Sequence, residues 1–183
     1  MNHSREEELP PPLPLFDQMR LSARVQALGR EIDAALPPGP LHVVGVLRGA
    51  FVFMADLVRA LPRDTRCDFL GVRSYGSATE TSGIVEITHD LSLPIGGEHV
   101  LLVEDIVDTG LTLRHLQQIL ATRRPASLHT CTLLNKPSRR RVEVTVDFVG
   151  FEVPDLFVVG YGLDLDQRYR NLPYVGVISA GAP

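Results

Sequence analysis

Apolar residues follow two different spacings along this chain. Between residues 19 and 36 they recur every three or four positions, as Leu21, Val25, Leu28, Ile32 and Leu36, which predicts an amphipathic helix. Elsewhere they are concentrated in runs of strand length that include some polar residues, with helical patterns at 51–61 and 111–122 between them. The runs lie at 41–47, 67–73, 100–103, 128–134, 144–149, 156–159 and 175–179. Strands that alternate with helices along the chain predict an α/β fold with a doubly wound parallel sheet.

Two polar segments interrupt this pattern. Residues 1–16 contain Pro10, Pro11, Pro12 and Pro14, which exclude a helix interior and predict a flexible tail ahead of a single domain over 17–183. Residues 74–83 are polar and bounded by glycine, which predicts a long loop. Loops of that length inside a domain are usually functional or disordered.

The composition narrows the class of protein. A chain of 183 residues with 44% apolar residues fits one domain with a full core. The net charge of −4 argues against a nucleic-acid partner, and no apolar run approaches the roughly 20 residues that cross a bilayer. Cys67 and Cys131 are too few for a disulfide framework, and the acidic N-terminus lacks the apolar core of a secretory signal. We therefore expect a cytoplasmic protein.

The run at 100–103 leads directly into the most chemically informative residues. Glu104, Asp105 and Asp108 follow it, and Thr109-Gly110-Leu111-Thr112 then opens the predicted helix. Ligands of open α/β sheets bind at the carboxyl ends of strands, and a small-residue helix start suits a phosphate. Solvated loop carboxylates are the alternative reading. Acids beside a phosphate site make chemical sense when a divalent cation or sugar hydroxyls lie between them.

The segment Glu104-Asp105-x-x-Asp108-Thr109-Gly110 resembles the phosphoribosyl pyrophosphate motif of type I phosphoribosyltransferases, in the form of the hypoxanthine-guanine branch. The resemblance extends over roughly 40–180, with the motifs in the family order. It implies the type I fold, with a small hood built from the N- and C-terminal segments. It also implies Mg²⁺ as cofactor, phosphoribosyl pyrophosphate and a 6-oxopurine as substrates, and a homodimer or homotetramer.

The resemblance assigns roles to the motif. It implies that Glu104 and Asp105 bind the ribose hydroxyls and, with Asp164, the metal. Asp108 matches the general base at purine N7. The 5-phosphate site matches Asp108, Thr109, Gly110, Leu111 and Thr112.

Further family positions lie on other loops. Arg48 and Gly49 match a pyrophosphate loop that usually carries lysine and often contains a cis peptide, and Arg170 matches a second pyrophosphate ligand. Lys136 matches the donor to purine O6. An ammonium group has hydrogen-bond donors only, so it binds a carbonyl oxygen well and the amino group of adenine poorly. Of the remaining matches, Phe157 corresponds to a residue that stacks on the purine, Val158 and Asp164 to residues at the purine edge, and Ser74 and Tyr75 to residues of a lid. Asn135 departs from the pattern, because an aspartate is common there in bacterial relatives.

Three alternatives bound this interpretation. A xanthine-preferring phosphoribosyltransferase differs by small changes around one extra carbonyl and stays open. A non-catalytic nucleotide-sensing regulator on the same fold also stays open, although such an RNA-binding protein should carry a basic face and this chain is acidic. Asp108 with Lys136 argues against adenine, orotate and uracil as substrates. A P-loop hydrolase is excluded because no Gly-x-x-x-x-Gly-Lys-[Ser/Thr] occurs.

Overall fold

The central feature of the computed structural model is a six-stranded sheet whose middle strands carry the acidic motif. The structure describes residues 11–77 and 80–178, with the backbone alone for 74–77 and 80–85. The elements are β1 (Leu13–Phe16), α1 (Gln18–Ala35), β2 (Leu41–Leu47), α2 (Phe51–Ala60), β3 (Thr65–Ser77), β4 (Glu80–His89), β5 (His99–Val107), α3 (Leu111–Thr122), β6 (Ser127–Asn135), a 3-10 turn (Pro137–Arg139), β7 (Phe148–Glu152), β8 (Val158–Val159) and β9 (Val175–Val177).

The large sheet has the order β4-β3-β2-β5-β6-β7, and all its pairs except β3–β4 are parallel. Successive residues of β5 point to opposite faces. Leu101 and Val103 join the core beneath α1 and α2, whereas Val100 and Leu102 join the core beneath α3. The sheet is therefore covered on both faces, as expected for a parallel sheet whose strands alternate with helices.

Helix α1 begins and ends where local chemistry dictates. Asp17 caps it by accepting a 2.8 Å hydrogen bond from the Arg20 backbone N–H, and Leu36 ends it directly ahead of a proline. Gly29 lies against α2 so closely that a Cβ would overlap the Ala60 carbonyl. The helix that the spacing predicted at 19–36 is confirmed within one residue at each end.

The predicted polar loop over 74–83 is wrong for the backbone that the structure describes. Strand β3 continues to Ser77, and β4 returns antiparallel to it from Glu80, so that Ser74 pairs with Val85. The strand at 80–89 lies at the edge of the sheet, where it needs no continuous apolar run. The polar composition of this edge strand is the reason that the sequence pattern predicts a loop there.

The predicted tail over 1–16 ends too late. Leu13–Phe16 forms β1, which pairs antiparallel with β9 in a three-stranded sheet of order β1-β9-β8. Pro14 is tolerated because β1 is an edge strand, where a missing N–H removes no essential ladder bond. This small sheet joins the N- and C-terminal segments and corresponds to the hood.

Three shorter strands differ from their predicted limits. The run at 144–149 becomes a strand only from Phe148 to Glu152, because Val144 and Val146 pack instead against the core beneath α3. The runs at 156–159 and 175–179 shorten to β8 and β9. No helix among the described residues is long and apolar enough to span a membrane.

Candidate active site

The carboxyl ends of β2 and β5 open into a cavity of about 270 Å³. Parallel strands end at the same edge of a sheet, so this is where the loops after β2, β5 and β6 and the segment after β8 meet. Ten of the residues singled out in the sequence line the cavity. They are Arg48, Gly49, Glu104, Asp105, Asp108, Thr109, Gly110, Thr112, Asp164 and Arg170.

Glu104 and Asp105 lie near the carboxyl end of β5, where successive side chains point to opposite faces of the sheet. Glu104 is 6% exposed. Asp105 lies against Gly49, where an added Cβ would overlap its carboxylate, and its Oδ1 accepts a 2.9 Å hydrogen bond from the Ile106 N–H. A side chain at position 49 would therefore displace the Asp105 carboxylate, and the Leu47–Arg48 peptide just before it is cis.

Burial makes both carboxyls hold their protons unusually tightly. The pKa of Glu104 is raised well above its ordinary value, first by burial and then by the neighbouring Asp105 charge. Burial also raises the pKa of Asp105 to about 6, opposed by the backbone hydrogen bond from Ile106 and by Arg170. Two adjacent buried acids without a bound cation are costly, and perturbed carboxyls in a cleft are typical of functional sites.

The loop from Asp108 to Thr112 has the geometry of an anion site. Gly110 is the N-cap of α3 with φ +85°, a left-handed conformation that favours glycine, and it contributes no side-chain cap. Thr109, Gly110 and Thr112 line the cavity, so the start of α3, which has no side-chain cap, lies beside it. Arg140 packs over this loop and donates a 2.7 Å hydrogen bond to the Asp108 carbonyl.

A second cavity of about 280 Å³ adjoins the first. The two share Asp105, Ile106, Asp108 and Asp164, so that Asp108 faces both. The second cavity is also lined by the predicted purine-binding residues Lys136, Phe157 and Val158. Lys136 is 6% exposed, whereas Phe157 is 53% exposed at the edge of the cavity, where a flat ligand can stack on its ring.

Two charged residues beside this cavity escaped the sequence analysis. Arg139 Nε donates to Asp108 Oδ1 at 3.2 Å and Arg139 Nη1 to Asp155 Oδ2 at 3.3 Å. The other Asp155 oxygen lies 3.7 Å from Lys136 Nζ. A chain of alternating charges thus connects Asp108 with Lys136. Its members are separated by 31 and 16 residues, a spacing that no sequence motif reveals.

Asn135, whose effect could not be predicted, also has a described partner. Its side-chain oxygen accepts a short hydrogen bond from Arg140, the residue that packs over the phosphate loop. Asn135 therefore supports Arg140 without neutralising its charge.

Gln167 is a further residue without a sequence signal. Its side-chain oxygen accepts hydrogen bonds from Arg48 at 3.0 Å and from Arg170 at 3.1 Å. With Arg73 and His89 these residues line a third cavity of about 450 Å³, which extends from the first. The side of the site that holds the two arginines is therefore strongly cationic.

Leu111 is a predicted position that lies apart from these cavities, and two others cannot be placed among the described side chains. Leu111 is in the first turn of α3 but lines none of the cavities described above, and its N–H donates to Thr109 Oγ1 at 3.4 Å. The side chains of the predicted lid residues Ser74 and Tyr75 lie outside the described part of the structure, although both backbones belong to β3.

The oxygen donors suit a hard cation shared with a ligand. Within the described residues, no group of three or more His, Cys, Asp or Glu side chains could hold a metal ion alone. Mg²⁺ commonly takes one or two protein carboxylates and completes its shell with water and substrate phosphates. Glu104, Asp105 and Asp164 around one cavity fit that kind of site.

Comparison with known proteins agrees with this geometry. Residues 14–166 match the model of the phosphoribosyl transferase domain family. The hypoxanthine-guanine phosphoribosyltransferase of Mycobacterium avium is 50% identical over 170 residues, covering 90% of this chain and 84% of that protein. The hypoxanthine phosphoribosyltransferase of Escherichia coli K12 is 46% identical over 180 residues, covering 97% of each.

Solved structures give the same result. The crystal structure of a hypoxanthine-guanine phosphoribosyltransferase from Bacillus anthracis superimposes with a TM-score of 0.88 at 41% sequence identity. The superposition covers 93% of this chain and 99% of that one. With the acidic motif and its cavity in place, these matches show that the chain belongs to the phosphoribosyltransferase family.

Proposed function

We propose that this protein transfers the 5-phosphoribosyl group from phosphoribosyl pyrophosphate to hypoxanthine or guanine, giving the nucleotide and pyrophosphate. The observation that carries the proposal is the position of Asp108 between two cavities. One cavity has the acids and amides that suit a sugar phosphate, and the other has the lysine and aromatic ring that suit a 6-oxopurine. The names of the relatives agree with this substrate class.

The first cavity binds and orients the sugar. Backbone amides and the Thr109 and Thr112 hydroxyls hold the 5-phosphate, far from the bond that breaks, so that binding energy is used to place C1. Glu104 and Asp105 accept hydrogen bonds from the ribose hydroxyls. Their negative charge also favours the oxocarbenium character that develops on the ribose as pyrophosphate leaves.

The third cavity receives the leaving group. Arg48 and Arg170 carry the guanidinium groups, which suit phosphate oxygens. Members of this family work with a divalent cation. We propose that this cation is Mg²⁺: Glu104, Asp105 and Asp164 would hold it, and it would supply positive charge that makes pyrophosphate a better leaving group.

The second cavity positions the nucleophile. Purine N9 forms the new bond to C1 as the bond from C1 to the pyrophosphate oxygen breaks, and Asp108 takes the proton from N7. Lys136 donates to O6, where a 6-amino group would present a second donor. Phe157 stacks on the ring face.

We also propose that the protein acts in the cytoplasm as a homodimer or homotetramer. The free Cys67 and Cys131 thiols support a reducing compartment. The exposed Met19 and Phe51 side chains, which lie on α1 and α2, support an apolar contact between copies.

The proposal is tested by measuring nucleotide formation from phosphoribosyl pyrophosphate with hypoxanthine, guanine, xanthine, adenine and uracil in parallel. We expect turnover of hypoxanthine and guanine, abolished by a chelator and restored by Mg²⁺. Fastest turnover of xanthine would favour the xanthine enzyme. No turnover of any base would overturn the proposal in favour of a nucleotide-sensing regulator.

Asp108→Asn should lower kcat by about 100-fold or more, because the amide cannot accept the N7 proton. The KM for phosphoribosyl pyrophosphate should change by less than about threefold, since the backbone amides of the loop remain. Steady-state kinetics with each substrate varied gives both values. Equal losses in kcat and in phosphoribosyl pyrophosphate binding would contradict the role as base.

Lys136→Ala should raise the KM for guanine by about tenfold or more and narrow the preference for 6-oxopurines over adenine. Lys136→Met is the matched variant, because it fills the buried space of the lysine stem without the ammonium. Both should leave the KM for phosphoribosyl pyrophosphate unchanged. Guanine kinetics like those of the parent in both variants would exclude the recognition role.

Asp105→Asn should stabilise the free protein at neutral pH. The pKa of Asp105 is about 6 in the folded protein, against about 3.9 for an unfolded chain. The unfolded state therefore loses its proton first as pH rises, and the parent loses stability between about pH 4 and 6. The asparagine variant lacks this loss, so its Tm should exceed that of the parent by about 5 °C above pH 6.5 and match it near pH 4.

The measurement is thermal unfolding across pH in the presence of chelator. Glu152→Gln removes an exposed carboxylate and serves as the control, with a pH profile like that of the parent. A Tm for Asp105→Asn below that of the parent at pH 7.5 would show that the carboxylate stabilises the free protein.

A further inference from the structure

One amide oxygen connects two arginines that come from distant parts of the chain. Gln167 Oε1 accepts from Arg48 Nη1 at 3.0 Å and from Arg170 Nη2 at 3.1 Å. Arg48 follows β2, 119 residues earlier in the chain, whereas Arg170 lies three residues beyond Gln167. We propose that Gln167 is a positioning residue, which holds these two guanidinium groups together for the pyrophosphate part of the substrate.

The backbone at Gln167 points to a function for this side chain. Leu165 and Arg168 close a tight turn through two backbone hydrogen bonds of 3.3 and 3.0 Å. Both central residues, Asp166 and Gln167, have positive φ, 49° and 64°. Turns with positive φ at both positions favour Asn, Asp and Gly, and glutamine gains nothing there from its backbone. A strained residue whose side chain makes two converging contacts is typical of a functional position.

The turn is anchored from the substrate side. Asp164 Oδ2 accepts a 2.8 Å hydrogen bond from the Gln167 N–H, and its Oδ1 lies 2.7 Å from Arg170 Nη2. Arg170 Nη1 also donates to the Gly162 carbonyl at 2.7 Å. Arg170 is thus held by several partners, whereas Gln167 is the partner described for the Arg48 guanidinium. The bridge therefore matters most for Arg48.

The charge of the bridging group decides what it can do. A neutral amide oxygen accepts one N–H from each arginine and adds no negative charge to them. A carboxylate at the same place would hold the same two groups but would add a second negative charge beside Arg170, which already pairs with Asp164. Glutamine therefore brings the two guanidinium groups together for a diphosphate and does not compete with it for their charge.

The inference rests on the proposed role of Arg48 and Arg170 toward pyrophosphate, so two readouts are needed. The first is the affinity of the full chain for magnesium pyrophosphate by calorimetry, and the second is steady-state kinetics. The variants are Gln167→Ala, which removes the bridge, Gln167→Glu, which cancels a charge, and Gln167→Asn, which is too short to bridge but is favoured at positive φ. Asp166→Gly changes the neighbouring strained residue and is the control.

Gln167→Ala should weaken pyrophosphate binding and raise the KM for phosphoribosyl pyrophosphate by about tenfold, with the KM for guanine unchanged. Gln167→Glu should have a larger effect. Gln167→Asn should show the same loss as alanine while its Tm stays equal to that of the parent or rises, which a purely structural role cannot produce. Asp166→Gly should leave pyrophosphate affinity at least as high as in the parent.

The two ways of failing are distinct. If the parent protein forms nucleotide while Gln167→Ala and Gln167→Asn keep its pyrophosphate affinity, the positioning role is overturned and the proposed function stays intact. If the variants lose pyrophosphate affinity and the parent protein forms no nucleotide from any base, the positioning role is retained and the proposed function is overturned. A lower Tm with equal losses toward both substrates would make Gln167 a structural residue.

Discussion

The burial of two adjacent carboxylates at the end of one strand is the constraint on which the site depends. Glu104 and Asp105 continue a strand whose preceding residues are fully packed on both faces, and Glu104 is itself buried while Asp105 is half-buried at the cavity. Their pKa values are raised because burial disfavours the charged forms. The Asp105 carboxylate in turn occupies the space that a side chain at position 49 would take. The free protein thus holds an arrangement that a cation and sugar hydroxyls would relieve.

Much of the fold follows from the pattern of apolar residues, because strands covered on both faces are rich in them. The four strands that surround the site, β2, β3, β5 and β6, all contain such apolar-rich segments, although His42, Asp68, Thr130 and Thr132 are buried within them. The pattern fails where a strand has an open side. Strand β4 lies at the sheet edge and reads as a polar loop, and Leu13–Phe16 reads as part of a proline-rich tail. Val144 and Val146 cause the opposite error, a predicted strand that does not form. They are apolar because they pack beneath α3, not because they belong to the sheet.

The site could be predicted as far as its residues are local in sequence. The acids and the phosphate loop, on which the family resemblance is first based, lie within thirteen positions, 100–112. The structure places these residues around one cavity. Residues that act through distant partners carry no such signal. Gln167 and Arg139 matter because of contacts with Arg48 and Asp108, which only the folded chain brings near.

The most direct test of this account is a crystal structure of the protein with Mg²⁺, phosphoribosyl pyrophosphate and a 6-oxopurine analogue that has carbon in place of N9 and so cannot react. The account predicts the analogue against Phe157, with N7 facing Asp108 and O6 facing Lys136, and the pyrophosphate between Arg48 and Arg170. A purine bound elsewhere, or a ribose whose hydroxyls do not reach Glu104 and Asp105, would contradict it.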